Sequence, residues 1–300
     1  MQLTNVFVRA DSPAGERYRA QRSVAAVVEA LEAIAPPFRP DDARDLQYFG
    51  GKTIPRLVFT SLYLGGAARW ADGDVRSIDS ALEKAMTDAR LEGVIAQYFP
   101  GQALANTFRG HELIEPNVPD TVSKDTVEGL LADLHGQGSL TGDLGSTVFL
   151  FLLPPGVVLT DGDVDSLHGL GGYHGSIHVQ SDTLYYAVGV YSETTDAGDN
   201  GIVAFDEPWK NVVATFYHEL QEVRTDPDVE DAIRAPTIDE GAKYLGWMSL
   251  RDGEIGDIPM EEAGSNLSLV MKEVPLADGS GTVPIQLMWS NRVHGPEGPT

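Results

Sequence analysis

The segment from Trp209 to the stop at Thr225-Asp226-Pro227-Asp228 constrains this chain more than any other. Trp209, Val212, Val213, Phe216, Leu220 and Val223 recur at helical spacing, so the segment predicts a long helix with a buried apolar stripe. Such a stripe needs a sheet or other helices to cover it. Inside it lies His218-Glu219-Leu220-Gln221-Glu222. His218 and Glu222 share one face of the helix, four residues apart, and Glu219 lies about 100° round from His218. That layout offers a metal two ligands from consecutive turns, with a carboxylate beside them to take a proton from water.

The flanking segments predict alternating helices and strands. Val24, Val27, Val28 and Leu31 give residues 15–34 a helical period, stopped by Pro36, Pro37 and Pro40. Arg56 to Leu64 reads as a strand and Asp74 to Tyr98 as a long helix interrupted near Gly93. Thr121 or Ser123 caps a helix that places Val127, Leu130, Leu131 and Leu134 on one face. Thr147 to Leu153 is an apolar strand ended by Pro154-Pro155, and a long loop is expected from Asp161 through Gly171-Gly172-Tyr173-His174-Gly175. Thr183 to Tyr191 is a third strand. A short helix near 238–245, a hairpin around 276–281 and a strand over Val283 to Trp289 complete the chain. The order fits an α/β or α+β fold without internal repeats. The 300 residues suit one domain, 1–300, with an N-terminal α/β half (1–145) and a metal-site half (146–300) as the alternative division.

Charge narrows the partners. With 21 basic and 45 acidic residues the net charge is −24, which repels phosphate backbones and anionic membrane surfaces. No nucleic-acid partner is expected. No uninterrupted apolar run approaches the ~20 residues of a membrane span, so no membrane insertion is expected either. The chain has no cysteine, which excludes disulfides, thiolate metal sites and thiol catalysis. The first residues, MQLTNVFVRADSPAG, lack the basic and apolar regions of a signal peptide, and the expected location is cytoplasmic or leaderless.

A zinc site needs a third protein ligand. Glu254-Ile255-Gly256-Asp257 lies downstream and offers two carboxylates, Glu254 and Asp257. His174, between glycines, is a candidate to bind metal or, with Tyr173 beside it, to stabilise an oxyanion. A second H-E-x-x-E, His111 to Glu115, sits between Gly110 and Pro116 and is too confined for a helix. Other motifs fail on their own terms. Gly51-Lys52-Thr53 lacks the first P-loop glycine and meets Pro55, where a helix should follow. Asp161, Asp163 and Asp165 alternate as in a calcium loop, but Ser166 replaces the turn glycine and Gly172 the closing glutamate. His174 stands where a dinucleotide motif from Gly169 needs its last glycine, and no G-x-S-x-G occurs.

Ordered blocks of this chain resemble bacterial relatives of the exordium, or phosphate-induced, family. ATFYHELQEVRTDP at 214–227 is similar to that family's HELAEAVTDP segment. LFLLPPGV at 150–157, GGYHGS at 171–176, GEIGD at 253–257 and Trp289-Ser290-Asn291 resemble further blocks in the same order, and RLVFTSLYLGG at 56–66 an early one. The family's cysteines are glycine or isoleucine here, at 171 or 172 and at 258, so its disulfides are absent. Gln221 and Arg224 replace small residues, and Arg224 is placed to pair with Glu222. The same helix resembles that of thermolysin-type zincins. This likeness implies a zincin-like metallopeptidase core with a mixed sheet and a long active-site helix. It also implies zinc held by His218, Glu222 and Glu254, with Asp257 orienting His218, or the reverse assignment of the two carboxylates. Glu219 is then the general base and His174 the oxyanion partner. The expected function is a zinc-dependent hydrolase, a metallopeptidase acting on a peptide or protein that pairs along the 183–191 strand. The alternative is a non-catalytic binding protein or pseudoenzyme, with Ca²⁺ as the alternative metal.

Overall fold

The computed structural model describes residues 5–22, 35, 37–115 and 117–299. Six strands form the main sheet: β1 (Val6–Val8), β2 (Arg56–Leu64), β3 (Ala105–Ile114), β4 (Thr147–Leu152), β5 (Leu170–Val179) and β6 (Asp182–Gly189). Their spatial order is β1-β5-β6-β4-β2-β3. The pairings β6–β4, β4–β2 and β2–β3 are parallel, whereas β5 runs antiparallel to β6 and β1 antiparallel to β5. The fold is mixed α/β with a mixed sheet. The three strands from beyond residue 145, β5, β6 and β4, lie side by side, flanked by β1 on one side and by β2 and β3 on the other.

Both sheet faces are covered, which explains the unbroken apolar run in β4. Val148, Leu150 and Leu152 join one core, and Phe149, Phe151 and Leu153 the other. The helices used below are α1 (Pro13–Arg22), α2 (Asp72–Thr87), α3 (Ala89–Ile95), α4 (Lys124–Gly136), α5 (Pro208–Thr225) and α6 (Asp257–Ala263). Val127, Leu131 and Leu134 of α4 pack into the second core. Helix α5 lies in the first core with α2 and the hairpin β7 (Met271–Pro275)–β8 (Thr282–Gln286). Covered by the sheet on one side and by α2 and the hairpin on the other, α5 has every residue from Asn211 to Thr225 buried. Its sequence predicted a buried stripe only. The polar residues of the H-E-x-x-E motif are therefore interior.

Several expectations shift. The long helix from Asp74 breaks at Asp88, not Gly93, because Oδ1 of Asp88 caps α3 by accepting from the amides of Arg90 at 2.9 Å and Leu91 at 3.2 Å. Ser123 caps α4 through the Thr126 amide at 3.3 Å. The glycine-rich segment expected as a loop is instead β5. The His111 copy of the motif lies in strand β3. The last strand divides into β8 and Met288–Ser290. Of the helix expected at 15–34, α1 covers the start, and Val24, Val27, Val28 and Leu31 lie outside the described residues. No helix among the described residues is long and apolar enough to cross a membrane.

Where α6 meets the loop at residues 41–45, Arg44 gathers Asp41, Asp252, Glu261 and Glu262 within 3.9 Å. Burial pushes the Glu262 carboxyl up to about 7, against the pull of Arg44 and with help from the neighbouring acids. A raised carboxyl holds its proton longer in the folded state. Its stabilising contribution is complete below about 4.5 and lost as pH rises through 7. Glu262→Gln is expected to leave stability unchanged at pH 4 and to raise it by about 1–2 kcal/mol at pH 8, discounted for partial exposure. Urea unfolding at both pH values checks this, and an equal effect at each would refute the assignment.

Candidate metal centre

Three elements bring the site together. Helix α5 presents His218, Glu219 and Glu222, strand β5 presents His174, and the turn into α6 presents Glu254 and Asp257. All are fully buried except Asp257, which is 7% exposed. Nδ1 of His174 lies 3.1 Å from Oε2 of Glu219 and 3.6 Å from Oε2 of Glu222, while its Nε2 lies 3.5 Å from Oε1 of Glu254. Nε2 of His218 lies 3.1 Å from the same Glu222 Oε2. Two groups result whose donor atoms all lie within 4.8 Å of one another: His174, Glu219 and Glu222; and His218, Glu222 and Asp257. Glu222 belongs to both.

The supports are specific. Oε1 of Gln286, from β8, is 3.0 Å from Nδ1 of His218 and fixes the ring so that Nε2 faces Glu222. The amide of Gln286 is itself held, donating to the Gly256 carbonyl at 2.6 Å. The Gly256 N–H donates to Oε1 of Glu222 at 3.1 Å, leaving Oε2 for the imidazoles. Gly256 has to be glycine here, because a Cβ would fall inside contact distance of His218 Nδ1 and Cε1 and 3.0 Å from Glu222 Oε1. Gly172 is similar, since a Cβ there would meet the Val188 carbonyl at 2.5 Å and Glu219 Oε1 at 3.1 Å. Gly256→Ala is expected to displace the His218 ring and cost about 1–3 kcal/mol of stability as overpacking does. It is also expected to remove metal binding. Denaturant unfolding with zinc titration checks both, and a variant that binds zinc normally would contradict the packing.

The site's electrostatics follow from burial and mutual contact. Burial alone would lower His174, but its hydrogen bond to Glu219 and the charges of Glu219, Glu222 and Asp226 outweigh it and raise its pKa. His218 is likewise raised, burial being outweighed by Glu222, Asp257 and Gln286. Burial drives Glu219 well above the usual carboxylate range despite His174. For Glu222 burial pushes upward, but His218, His174 and the Gly256 amide win and lower it. One turn beyond, burial pushes Asp226 up to about 8, although it accepts from the Gly246 amide at 2.8 Å. Oε1 of Glu219 makes no hydrogen bond among the described residues, and Oε2 of Glu222 faces the imidazoles of His218 and His174. The mixed imidazole–carboxylate donor set is one that zinc accepts.

All six residues singled out from the sequence thus meet in one place. Some neighbours do not behave as expected. Tyr173 points to the opposite face of β5 from His174, into the second core, as adjacent strand residues must. Both nitrogens of His174 already face carboxylates. Arg224 does not reach Glu222. It lies two residues on, about 200° round the helix, donates to the Pro55 carbonyl at 3.2 Å and sits over the Phe99 ring. Strand β6, expected to bind a peptide, is paired on both sides, by β5 and β4, from Tyr185 to Gly189. Gln286 and Gly256 were not anticipated as site residues. Gly256 lies inside the Glu254–Asp257 block, but nothing in the sequence marks Gln286.

No protein-family model matches this sequence, and no curated protein or solved structure is significantly similar to it.

Proposed function

We propose that this chain is a zinc-dependent hydrolase of the peptidase kind, with a zincin-like core built from α5 and the β5 side of the sheet. The observation that supports it most is the buried group of His218, Glu222 and Asp257, oriented by Gln286 and the Gly256 amide. These would be the zinc ligands. Asp257 is preferred to Glu254 because its carboxylate is grouped with His218 and Glu222, whereas Glu254 faces His174. Zinc would supply Lewis acidity to a water and a carbonyl oxygen. Glu219, next to His218 on α5, would take the proton of the attacking water. His174 holds Glu219 through the 3.1 Å contact and is read as its positioning partner. The ordered blocks that resemble the exordium-like family supply His174, His218, Glu219, Glu222, Glu254 and Asp257, which are the residues that converge.

A second reading, a structural metal site without catalysis, is favoured by one observation: every residue of the cluster is buried. Ca²⁺ fits less well than zinc because two imidazoles face the cluster and calcium takes oxygen ligands. The deciding experiment is metal analysis of protein purified without a histidine tag or added metal, followed by incubation with a peptide library. Stoichiometric zinc with peptide cleavage supports the hydrolase. Zinc without cleavage supports the structural reading, and no metal at all refutes both.

A further inference from the structure

The sheet edge beside His174 is already occupied by the chain's own N-terminal segment. β1 pairs antiparallel with β5, Val6 opposite Tyr173, Phe7 opposite Gly172 and Val8 opposite Leu170. The pairing extends at both ends. The His174 amide donates to the Asn5 carbonyl at 3.3 Å, and the Arg9 amide to the Gly169 carbonyl at 2.7 Å. The Asn5 side chain donates to the His174 carbonyl and to Glu230 at 3.0 Å. Because Phe7 is opposite Gly172, its side chain points to the same face as the metal cluster. There its ring is fully buried and stacks on His218, centroids 4.0 Å apart. The strand beneath is stripped of side chains where Phe7 lies. A Cβ on Gly171 would come within 2.8 Å of the Phe7 ring.

We propose that residues 5–9 occupy the groove of an extended peptide substrate. A peptide with a large apolar or aromatic side chain in the place of Phe7 would bind β5 in the same antiparallel register once β1 lifts away. The inference rests on the peptidase reading and assigns that site its substrate class. Three features favour it. β1 is an edge strand, so its departure breaks ladder pairing with β5 alone. It spans three residues, and its register is broken between Phe7 and Val8. β6, on the other side of β5, is paired on both sides opposite His174, so among the described strands there β5 is the one that a peptide can reach, and in place of β1. Backbone pairing would supply affinity and the Phe7 pocket selectivity.

The test uses the full chain, metal-free, and reads carbethoxylation of individual histidines by diethylpyrocarbonate with mass spectrometry. Phe7→Gly empties the pocket, and Asn5→Ala releases the strand without opening a cavity under it. Both are expected to raise the labelling rates of His174 and His218 about tenfold or more, as local opening of a short edge strand does. The more exposed His178 and His111 serve as internal references. Phe59→Ala, an equally buried ring on β2, controls for general loosening. Added peptide NVFVR is expected to restore protection in Phe7→Gly, and NVGVR to fail. Unchanged rates in both variants, an equal rise in Phe59→Ala, or no re-protection by NVFVR would each overturn the proposal. Since no metal enters this readout, protection by β1 in a chain that binds no zinc would keep the peptide groove and remove the hydrolase. Bound zinc with unaltered labelling would do the reverse.

Discussion

Glu222→Gln is expected to bind no zinc in the buried site and to show no zinc-dependent rise in melting temperature. Glu222 is the one carboxylate common to both groups of donors, with Oε2 3.1 Å from His218 and 3.6 Å from His174. Its Oε1 is committed to the Gly256 amide, so Oε2 is the oxygen left to a metal. An amide in that place keeps the shape but loses the charge, and its NH₂ would face two imidazoles. In the wild-type chain, zinc at a thousandfold its dissociation constant should add about 4 kcal/mol to stability. For a chain of this size that is a rise on the order of 8 °C. The variant should lose all of it. Without metal, too, the variant should melt below the wild-type temperature, because His218, His174 and the Gly256 amide hold the Glu222 carboxyl below its usual range and the two imidazoles lose that partner. Thermal scans of both proteins with and without zinc separate the two effects. A wild-type zinc shift in the variant would take Glu222 out of the ligand set and with it the reading of the site.

The sequence shows the donors of this site better than their supports. Donors must be His, Glu or Asp, and the four-residue spacing on a helix is a local geometric fact, so His218 and Glu222 can be placed without knowing the fold. The downstream block of Glu254 and Asp257 can be named, but not ordered, since which carboxylate turns inward depends on how α6 begins. Gln286 is invisible: a glutamine in a hairpin carries no pattern, and its contact to His218 spans 68 positions. Glycine misled in β5. Gly171, Gly172 and Gly175 suggest a loop, yet the close approach of Phe7 and Glu219 demands the missing side chains within a strand. Arg224 misled in the other direction, because proximity in sequence to Glu222 did not account for the 200° rotation between them. Local capping chemistry is legible at Ser123, and at Asp88 the Asp side chain starts α3 more decisively than Gly93 could end α2.

Glu219→Gln is expected to keep the fold and the zinc but to lower peptide hydrolysis by about 10²–10⁴-fold, the range of a positioned general base. Glu219 is outside the group of His218, Glu222 and Asp257, so zinc content should match the wild type. The replacement can still accept from His174 through its amide oxygen, preserving the 3.1 Å contact that holds the side chain in place. What it loses is the oxygen free of hydrogen bonds, Oε1, and the ability to carry a proton. Stability should rise slightly or stay unchanged, because a buried carboxyl driven far above its usual range is replaced by a neutral amide of the same shape. Zinc analysis, thermal melting and a quenched fluorescent peptide assay on the same sample distinguish the cases. Full activity with normal zinc would place the base elsewhere. Loss of zinc together with activity would instead make Glu219 a ligand, and the group of His174, Glu219 and Glu222 would then be the metal centre.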